Sequence, residues 1–201
     1  MDWQAMLNEL NQAILDNLAN SAPDVLRDRI NGPAEEQERF QRVVTATKEA
    51  LSGERQWFGC PGASEQEISA REAHLGVAFP DSYRAFLKAS NGFIIPGSFN
   101  GPLLPVSEVQ LFGETNAWIC ELWAKADYPE ITAESRLKGL IRVSSTGLWT
   151  SDYLLVEPRP PTADWPYTAY CYDRMGVNEL ETFADVIAGE IRWQKSMAGA
   201  G

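Results

Sequence analysis

The hydrophobic positions of the first sixty residues recur at helical spacing. Apolar residues three, four or seven apart predict one amphipathic helix near the N-terminus and another further on. The first contains Trp3, Met6, Leu7, Leu10, Ile14 and Leu18, and the other contains Phe40, Val43, Val44, Thr47 and Leu51. Between them, Ser21 to Asp24 can open a short helix that Asn31 and Gly32 would end. Residues 1–58 are therefore predicted to form an N-terminal helical extension, which could pack on the remaining chain, dimerise or dock a partner.

Two further helices, each with a start and a stop signal, are predicted between Gly62 and Phe93. Ser64 and Glu67 have the spacing of a capping box, and Gly76 suits the left-handed position that ends a helix. A proline starts the second helix at little cost, and an Asn-Gly pair that tolerates positive φ ends it. The residues of this second segment are Pro80, Tyr83, Phe86, Leu87, Ser90, Asn91 and Gly92.

The remaining chain changes to short apolar runs that are typical of strands. Residues 103–111 show a strand-entry pattern, and residues 140–144 and 148–156 predict a hairpin around Thr146-Gly147. A helix is predicted from Trp118 to Trp123, a strand at 167–172, and a last helix that Thr182 caps. Helices followed by consecutive strands and a helix predict an α+β fold, with a mostly antiparallel sheet flanked by helices.

The order of residues in the two-helix segment resembles a known family. It reads G-x5-I-x3-E-x2-L-G-x3-P-x2-Y-x2-F-L-x3-N-G, which is similar to the SUKH superfamily, a group named for a yeast cell-wall-assembly regulator and its relatives. The matching residues are Gly62, Ile68, Glu72, Leu75, Gly76, Pro80, Tyr83, Phe86, Leu87, Asn91 and Gly92. The resemblance implies a SUKH-like α+β domain at 59–201, which binds proteins and carries no shared catalytic residues.

The charge of the chain narrows the class of partner. Its net charge is −11, and the acidic excess is spread along the chain. Binding to nucleic-acid phosphates or to an anionic membrane is therefore disfavoured. A basic partner protein is favoured, because opposite fields steer encounter. Solubility alone is the alternative explanation of the charge.

Candidate chemistry is sparse. Three cysteines and a single histidine, His74, make a structural zinc site improbable, and no metal or cofactor is expected. His74 is expected to be a packed or surface residue. Nucleotide-binding, metalloprotease and nucleophile-elbow motifs do not occur in the sequence. Paired carboxylates leave no sequence mark, so a hydrolase using Asp152, Asp164 or Asp173 stays a remote alternative.

Aromatic and acidic residues of the strand region are the best candidates for binding a partner. Trp118 and Trp123 are spaced for one helix face and are expected in the core. The candidates for a partner-binding patch are Trp149, Asp152, Glu157, Asp164 and Trp165. Glu72 is expected to join the two signature helices by a hydrogen bond, with a binding-site acid as the alternative.

The resemblance and the charge together predict a function. The expectation is a non-enzymatic immunity protein that binds and neutralises a cognate bacterial toxin, which would be a basic protein. The alternative is a regulatory scaffold like the yeast member. In that case residues 1–58 of this chain would be the docking element. No run of apolar residues is long enough to span a membrane, and the acidic N-terminus does not suit a secretion signal, so a cytoplasmic location is expected.

Overall fold

The elements below come from a computed structural model. It describes residues 1–20, 34–96, 101–123, 138–145, 153–156, 167–170, 177–180 and 182–199. The helices are α1 (Trp3–Asn20), α2 (Ala34–Leu51), α3 (Glu65–Leu75), α4 (Asp81–Ala89), α5 (Phe112–Thr115), α6 (Ala117–Trp123) and α7 (Phe183–Ala198). The strands are β1 (Gln110–Leu111), β2 (Ile141–Arg142), β3 (Tyr153–Val156), β4 (Tyr167–Tyr170) and β5 (Val177–Leu180).

The five strands form one antiparallel sheet in the order β1-β2-β3-β4-β5. Ile141 pairs with Val156, and Tyr167 pairs with both Val156 and Leu180, so each strand returns beside the one before it. The predicted α+β class with a mostly antiparallel sheet is confirmed. β2 and β3 pair antiparallel, as predicted, but Ile141 lies opposite Val156, so the pairing is centred two residues beyond the predicted turn at 146–147. That turn lies outside the described residues.

The core lies where α1 packs on α7 and α4. Leu7, Leu10 and Ile14 of α1 are fully buried in the same cluster as Phe86 of α4 and Ile187 of α7. Burying an aliphatic side chain of this size stabilises a fold by roughly 1.5–3 kcal/mol. Helix α1 thus contributes to the main core, which is one of the three placements that the sequence left open. The domain boundary at residue 58 stays a prediction.

Polar side chains tie α1 to distant parts of the chain. The side-chain amide of Asn17 donates to Gln194 Oε1 at 2.7 Å, and Gln194 donates to the carbonyl oxygen of Pro96 at 3.2 Å. The Asn11 side chain bonds to the backbone of Gln56 and Phe58 at 2.9 and 3.0 Å. Because buried polar groups need partners, these bonds fix how α1 is oriented.

Several predicted elements differ from the structure. Trp118, expected in the core, is 58% exposed. Cys120 of α6 is fully buried, and a position two residues away points to the opposite side of a helix. Residues 103–111 contain a short 3-10 helix (Val106–Glu108) before β1, and the sequence did not predict β5. The helix predicted within 21–32 lies outside the described residues.

Candidate binding site

The signature segment folds into the predicted helix pair α3 and α4. Ser64 caps α3: its Oγ accepts from Glu67 N at 3.2 Å, and its N–H donates to the Glu67 carboxylate at 2.7 Å. Hydrogen bonds from the Ser64 hydroxyl and amide hold the pKa of Glu67 below its usual value. Gly76 ends α3 in the left-handed region, with φ of 70°. The predicted capping box is therefore confirmed.

The Glu72 carboxylate connects α3 to α4. It accepts a hydrogen bond from Phe79 N at 2.7 Å and pairs with the Arg84 guanidinium of α4. Arg84 also pairs with Glu65, which Lys88 contacts at 2.7 Å. Glu72 therefore supports the turn between the helices, as the structural interpretation expects. Its alternative role as a binding-site acid stays a prediction.

Two signature glycines are required by the close approach of backbone segments. A Cβ atom on Gly62 would lie 1.9 Å from the carbonyl oxygen of Lys88. Gly92 has φ of +91°, and its Cβ would lie 2.9 Å from the carbonyl oxygen of Leu103. The neighbouring Asn91 accepts from Val106 N at 2.7 Å. The end of α4 therefore packs against the segment before α3, at Gly62, and against the segment from Leu103 to Val106.

The signature aromatics lie in the core. Tyr83 packs edge-on against Phe79 and Phe183, with ring centroids 5.3 and 5.0 Å apart, and Phe86 contacts Trp3 at 5.8 Å. Burial raises the pKa of the Tyr83 phenol far above its ordinary value. Its hydroxyl has no hydrogen-bond partner in the part of the chain that the structure describes. This face of α4 is therefore structural and cannot meet a partner protein directly.

The residues predicted to bind a partner lie outside the described residues. They are Trp149, Asp152, Glu157, Asp164 and Trp165. Asp173, the third acid of the hydrolase alternative, also lies outside them. His74 is exposed on α3, in agreement with a surface histidine. The partner-binding patch stays a prediction.

Two adjoining cavities lie along α2. The larger, here named the α2 groove, has a volume of about 680 Å³ and is lined by Ala34, Gln37, Glu38, Gln41, Arg42, Thr45, Arg55 and Ile94. The smaller, here named the α2 pocket, has a volume of about 110 Å³ and is lined by Arg39, Arg42, Val43, Cys60, Gly92, Phe93, Ile94, Pro102, Leu103, Leu104 and Pro105. Arg42 and Ile94 line both cavities, so the pocket adjoins the groove.

A charged cluster lies beside the α2 pocket. Glu108 accepts from Arg39 Nε at 2.8 Å and from the Arg42 guanidinium at 3.3 to 3.4 Å. The Arg39 side chain is 3% exposed, whereas that of Arg42 is 53% exposed. Burial opposes ionisation of Glu108, but the bonds from the two arginines outweigh it and lower its pKa. The cluster therefore keeps Glu108 ionised and anchors α2 to the 3-10 helix.

Cys60 lines the same pocket as Arg39 and Arg42. It is half-buried in the α2 pocket, and its backbone N–H donates to Ser90 Oγ at 3.0 Å. Burial raises the pKa of the Cys60 thiol, while Arg42 and Arg55 act in the opposite direction. A thiol with a raised pKa is a weaker nucleophile at neutral pH than an ordinary cysteine thiol.

Sequence reasoning missed this cluster and its two cavities. Arg39 and Arg42 are three apart and so share one side of α2, which is a signal that the sequence carries. Glu108 is 69 residues from Arg39, and nothing local connects the two. A cavity between α2 and the segment around Ile94 likewise depends on tertiary packing.

Two searches of the described residues are negative. No group of three or more His, Cys, Asp and Glu side chains among them could hold a metal ion. No helix among them is both long enough and apolar enough to cross a membrane.

The fold and the signature geometry agree with a comparison to known families. The model of the SMI1/KNR4 family (SUKH-1) matches residues 62–187, which is more than half of the chain. The match begins at Gly62, the first residue of the signature. The chain therefore belongs to the SMI1/KNR4 (SUKH-1) family. A search of curated proteins finds no match.

Proposed function

We propose that this chain is a non-enzymatic protein-binding module that acts as an immunity protein. It binds a cognate bacterial toxin in the cytoplasm and blocks the toxin's activity. The observation that carries the proposal is family membership over residues 62–187, since this family is generally non-catalytic and its members generally bind proteins.

The charge of the chain supports a basic partner. A net charge of −11 on 201 residues creates a negative field that attracts cationic surfaces and accelerates encounter. Neutralising a toxin requires tight binding, and nanomolar affinity corresponds to roughly −12 kcal/mol. Affinity of this size requires a buried aromatic centre with polar residues around it. Trp149 and Trp165, with their acidic neighbours, are the residues proposed to supply it.

The signature residues have a supporting role in this proposal. The rings of α4 are buried and Glu72 is paired with Arg84, so both maintain the fold of the domain. The residues proposed to give specificity for one toxin, from Trp149 to Trp165, are separate in the sequence from this helix pair. A shared scaffold with a separate binding surface is common among folds that serve several partners.

The test is a binding and inhibition assay with the toxin domain encoded beside this gene. We expect the purified chain to form a one-to-one complex with that domain, to inhibit it, and to bind more weakly as salt rises. Failure to bind or inhibit the neighbouring toxin would overturn the immunity proposal. Binding to a cell-wall or signalling enzyme instead would favour the regulatory scaffold.

Charge-reversal variants test the proposed surface. Asp152→Lys and Asp164→Lys are expected to weaken toxin binding at least tenfold, because each would place a cation against a basic surface. Glu54→Lys is the matched control, since Glu54 is exposed and its reversal changes the net charge equally. Equal weakening by all three variants would show that the overall field acts and that the predicted patch is wrong.

A further inference from the structure

We propose that the α2 pocket and the α2 groove together bind the C-terminus of a polypeptide whose last residue is aliphatic. The proposal goes beyond the immunity function, because the described residues that line the two cavities are not those predicted to bind a toxin. Three features carry it: an apolar pocket, an arginine at its mouth and a polar groove that continues from it.

The α2 pocket suits one aliphatic side chain. Its volume of about 110 Å³ equals that of roughly four water molecules in the liquid. The carbon side chains of Val43, Phe93 and Leu103 form much of its lining. Water gains few hydrogen bonds in such a cavity, whereas a hydrocarbon gains close contacts. A leucine-sized or valine-sized side chain is therefore the expected occupant.

Arg42 provides the recognition of a carboxylate. It lines both cavities and is 53% exposed, so its guanidinium is accessible from the junction between them. Its bonds to Glu108 are 3.3 to 3.4 Å long. Charge-assisted bonds are usually about 2.7–2.9 Å long. Arg39 holds Glu108 more closely, at 2.8 Å. Arg42 has five N–H donors, so it can bind a second carboxylate while it remains near Glu108.

The α2 groove suits the peptide that precedes such a terminus. Gln37, Gln41 and Thr45 follow one another at helical spacing along it, and their side chains can donate to and accept from a peptide backbone. Its volume of about 680 Å³ falls within the range of known ligand sites. Arg55 and Glu38 also line it, and Arg55 is paired with Glu49 at 2.7 Å, so the carboxylate is assigned to Arg42. A free carboxylate next to an apolar side chain, at the end of a peptide, matches all three features.

The first test measures binding of acetyl-Gly-Gly-Leu, with a free C-terminal carboxylate, to the full chain by calorimetry or NMR titration. The same peptide with a C-terminal amide is expected to bind at least about tenfold more weakly, because it cannot form charge-assisted bonds to Arg42. Arg42→Gln is expected to cause a similar loss for the free acid. Arg192→Gln, an exposed arginine of α7, removes the same charge elsewhere and should leave binding unchanged.

A second readout reports occupancy of the pocket itself. Cys60 lines the α2 pocket, so the bound free acid should slow its alkylation by iodoacetamide, measured by mass spectrometry. The amide should protect Cys60 much less at the same concentration. Unchanged alkylation in the presence of saturating free acid would place the peptide elsewhere and overturn the assignment.

A third measurement tests whether the site binds a peptide or only a small carboxylic acid. N-acetylleucine has the same carboxylate and side chain but cannot fill the α2 groove. It is expected to bind several-fold more weakly than acetyl-Gly-Gly-Leu. Equal binding of the two would show that the groove contributes nothing, and equal binding of acid and amide would show that Arg42 does not recognise the carboxylate. Either result would refute the proposal.

Discussion

Replacement of Gly62 by alanine tests how closely the signature segments pack. The added Cβ would lie 1.9 Å from the carbonyl oxygen of Lys88, where ordinary contact begins at 3.4 Å. The two segments must therefore separate by about 1.5 Å, the difference between these distances. The obstacle is backbone, so no flexible side chain can move away to accommodate the methyl group.

The cost follows from what this separation disturbs. Two backbone hydrogen bonds flank the contact: Ala63 N to Leu87 O at 2.8 Å, and Asn91 N to Pro61 O at 3.3 Å. Overpacking costs roughly 1–3 kcal/mol, and losing one such bond adds about 1 kcal/mol. We therefore expect Gly62→Ala to lower the free energy of unfolding by about 2–4 kcal/mol.

Urea denaturation, followed by circular dichroism and tryptophan fluorescence, is the assay. Gly189→Ala is the matched control, because Gly189 lies inside α7 and its Cβ would meet nothing closer than Arg192 Nη2 at 3.8 Å. That variant should gain roughly 0.5–1 kcal/mol from better helix propensity. If Gly62→Ala matched the wild type within about 0.5 kcal/mol while Gly189→Ala showed its gain, the proposed close approach would be wrong.

Four more predictions rest on individual contacts. Glu72→Ala should lower stability by about 1–3 kcal/mol in urea denaturation, because Phe79 N loses its acceptor; Glu72→Gln, which keeps an acceptor, should lose less. Tyr83→Phe should leave stability unchanged or raise it, because it removes a buried hydroxyl that lacks a partner among the described residues; a marked loss would reveal a partner. Deleting residues 1–58 should abolish the near-UV signal of a packed core, since the buried residues of α1 together contribute about 7–15 kcal/mol, as much as a whole domain's stability. Folding lowers the pKa of Glu108, so its contribution to stability is complete above the ordinary pKa of 4.5 and is lost as the pH falls through the folded pKa. Glu108→Gln should remove this part of the pH dependence of stability, measured by denaturation between pH 3 and 7.

The deletion has a bearing on the regulatory-scaffold alternative. That alternative expects the chain without residues 1–58 to remain folded and lose its partner. Because Leu7, Leu10 and Ile14 are buried against α4 and α7, the shortened chain should lose its fold as well. Substitutions at exposed positions of α2 outside the groove, such as Lys48→Ala, test a docking role without disturbing the core.

Elements with local signals were predictable from the sequence. Helices α3 and α7 each begin with a capping box, formed by Ser64 with Glu67 and by Thr182 with Asp185. Both partners of a capping box lie within four consecutive residues, so the sequence alone indicates the interaction. The apolar spacing of α1 was equally informative, because a long helix repeats its pattern over several turns.

Other features depend on packing that the sequence does not display. β5 has four residues with apolar positions only at Val177 and Leu180, which is too short to show strand alternation. In the seven-residue α6, apolar residues occur on more than one side, so periodicity could not show that Trp118 faces outwards. The α2 pocket and its arginines arise from segments far apart in the chain. The signature thus predicted the scaffold well and gave no indication of these cavities.

The contact between α1 and α7 determines when the core can form during synthesis of the chain. Asn17 and Gln194, which bond to each other, are 177 residues apart. At ribosomal speeds of about 5–20 residues per second, α1 waits roughly 10–35 s for its companion to be synthesised. During this interval the apolar face of α1 is exposed to solvent and accessible to chaperones. A nascent chain that stalls before residue 183 lacks α7 and therefore cannot complete the core in which α1 is buried, although its signature segment is complete.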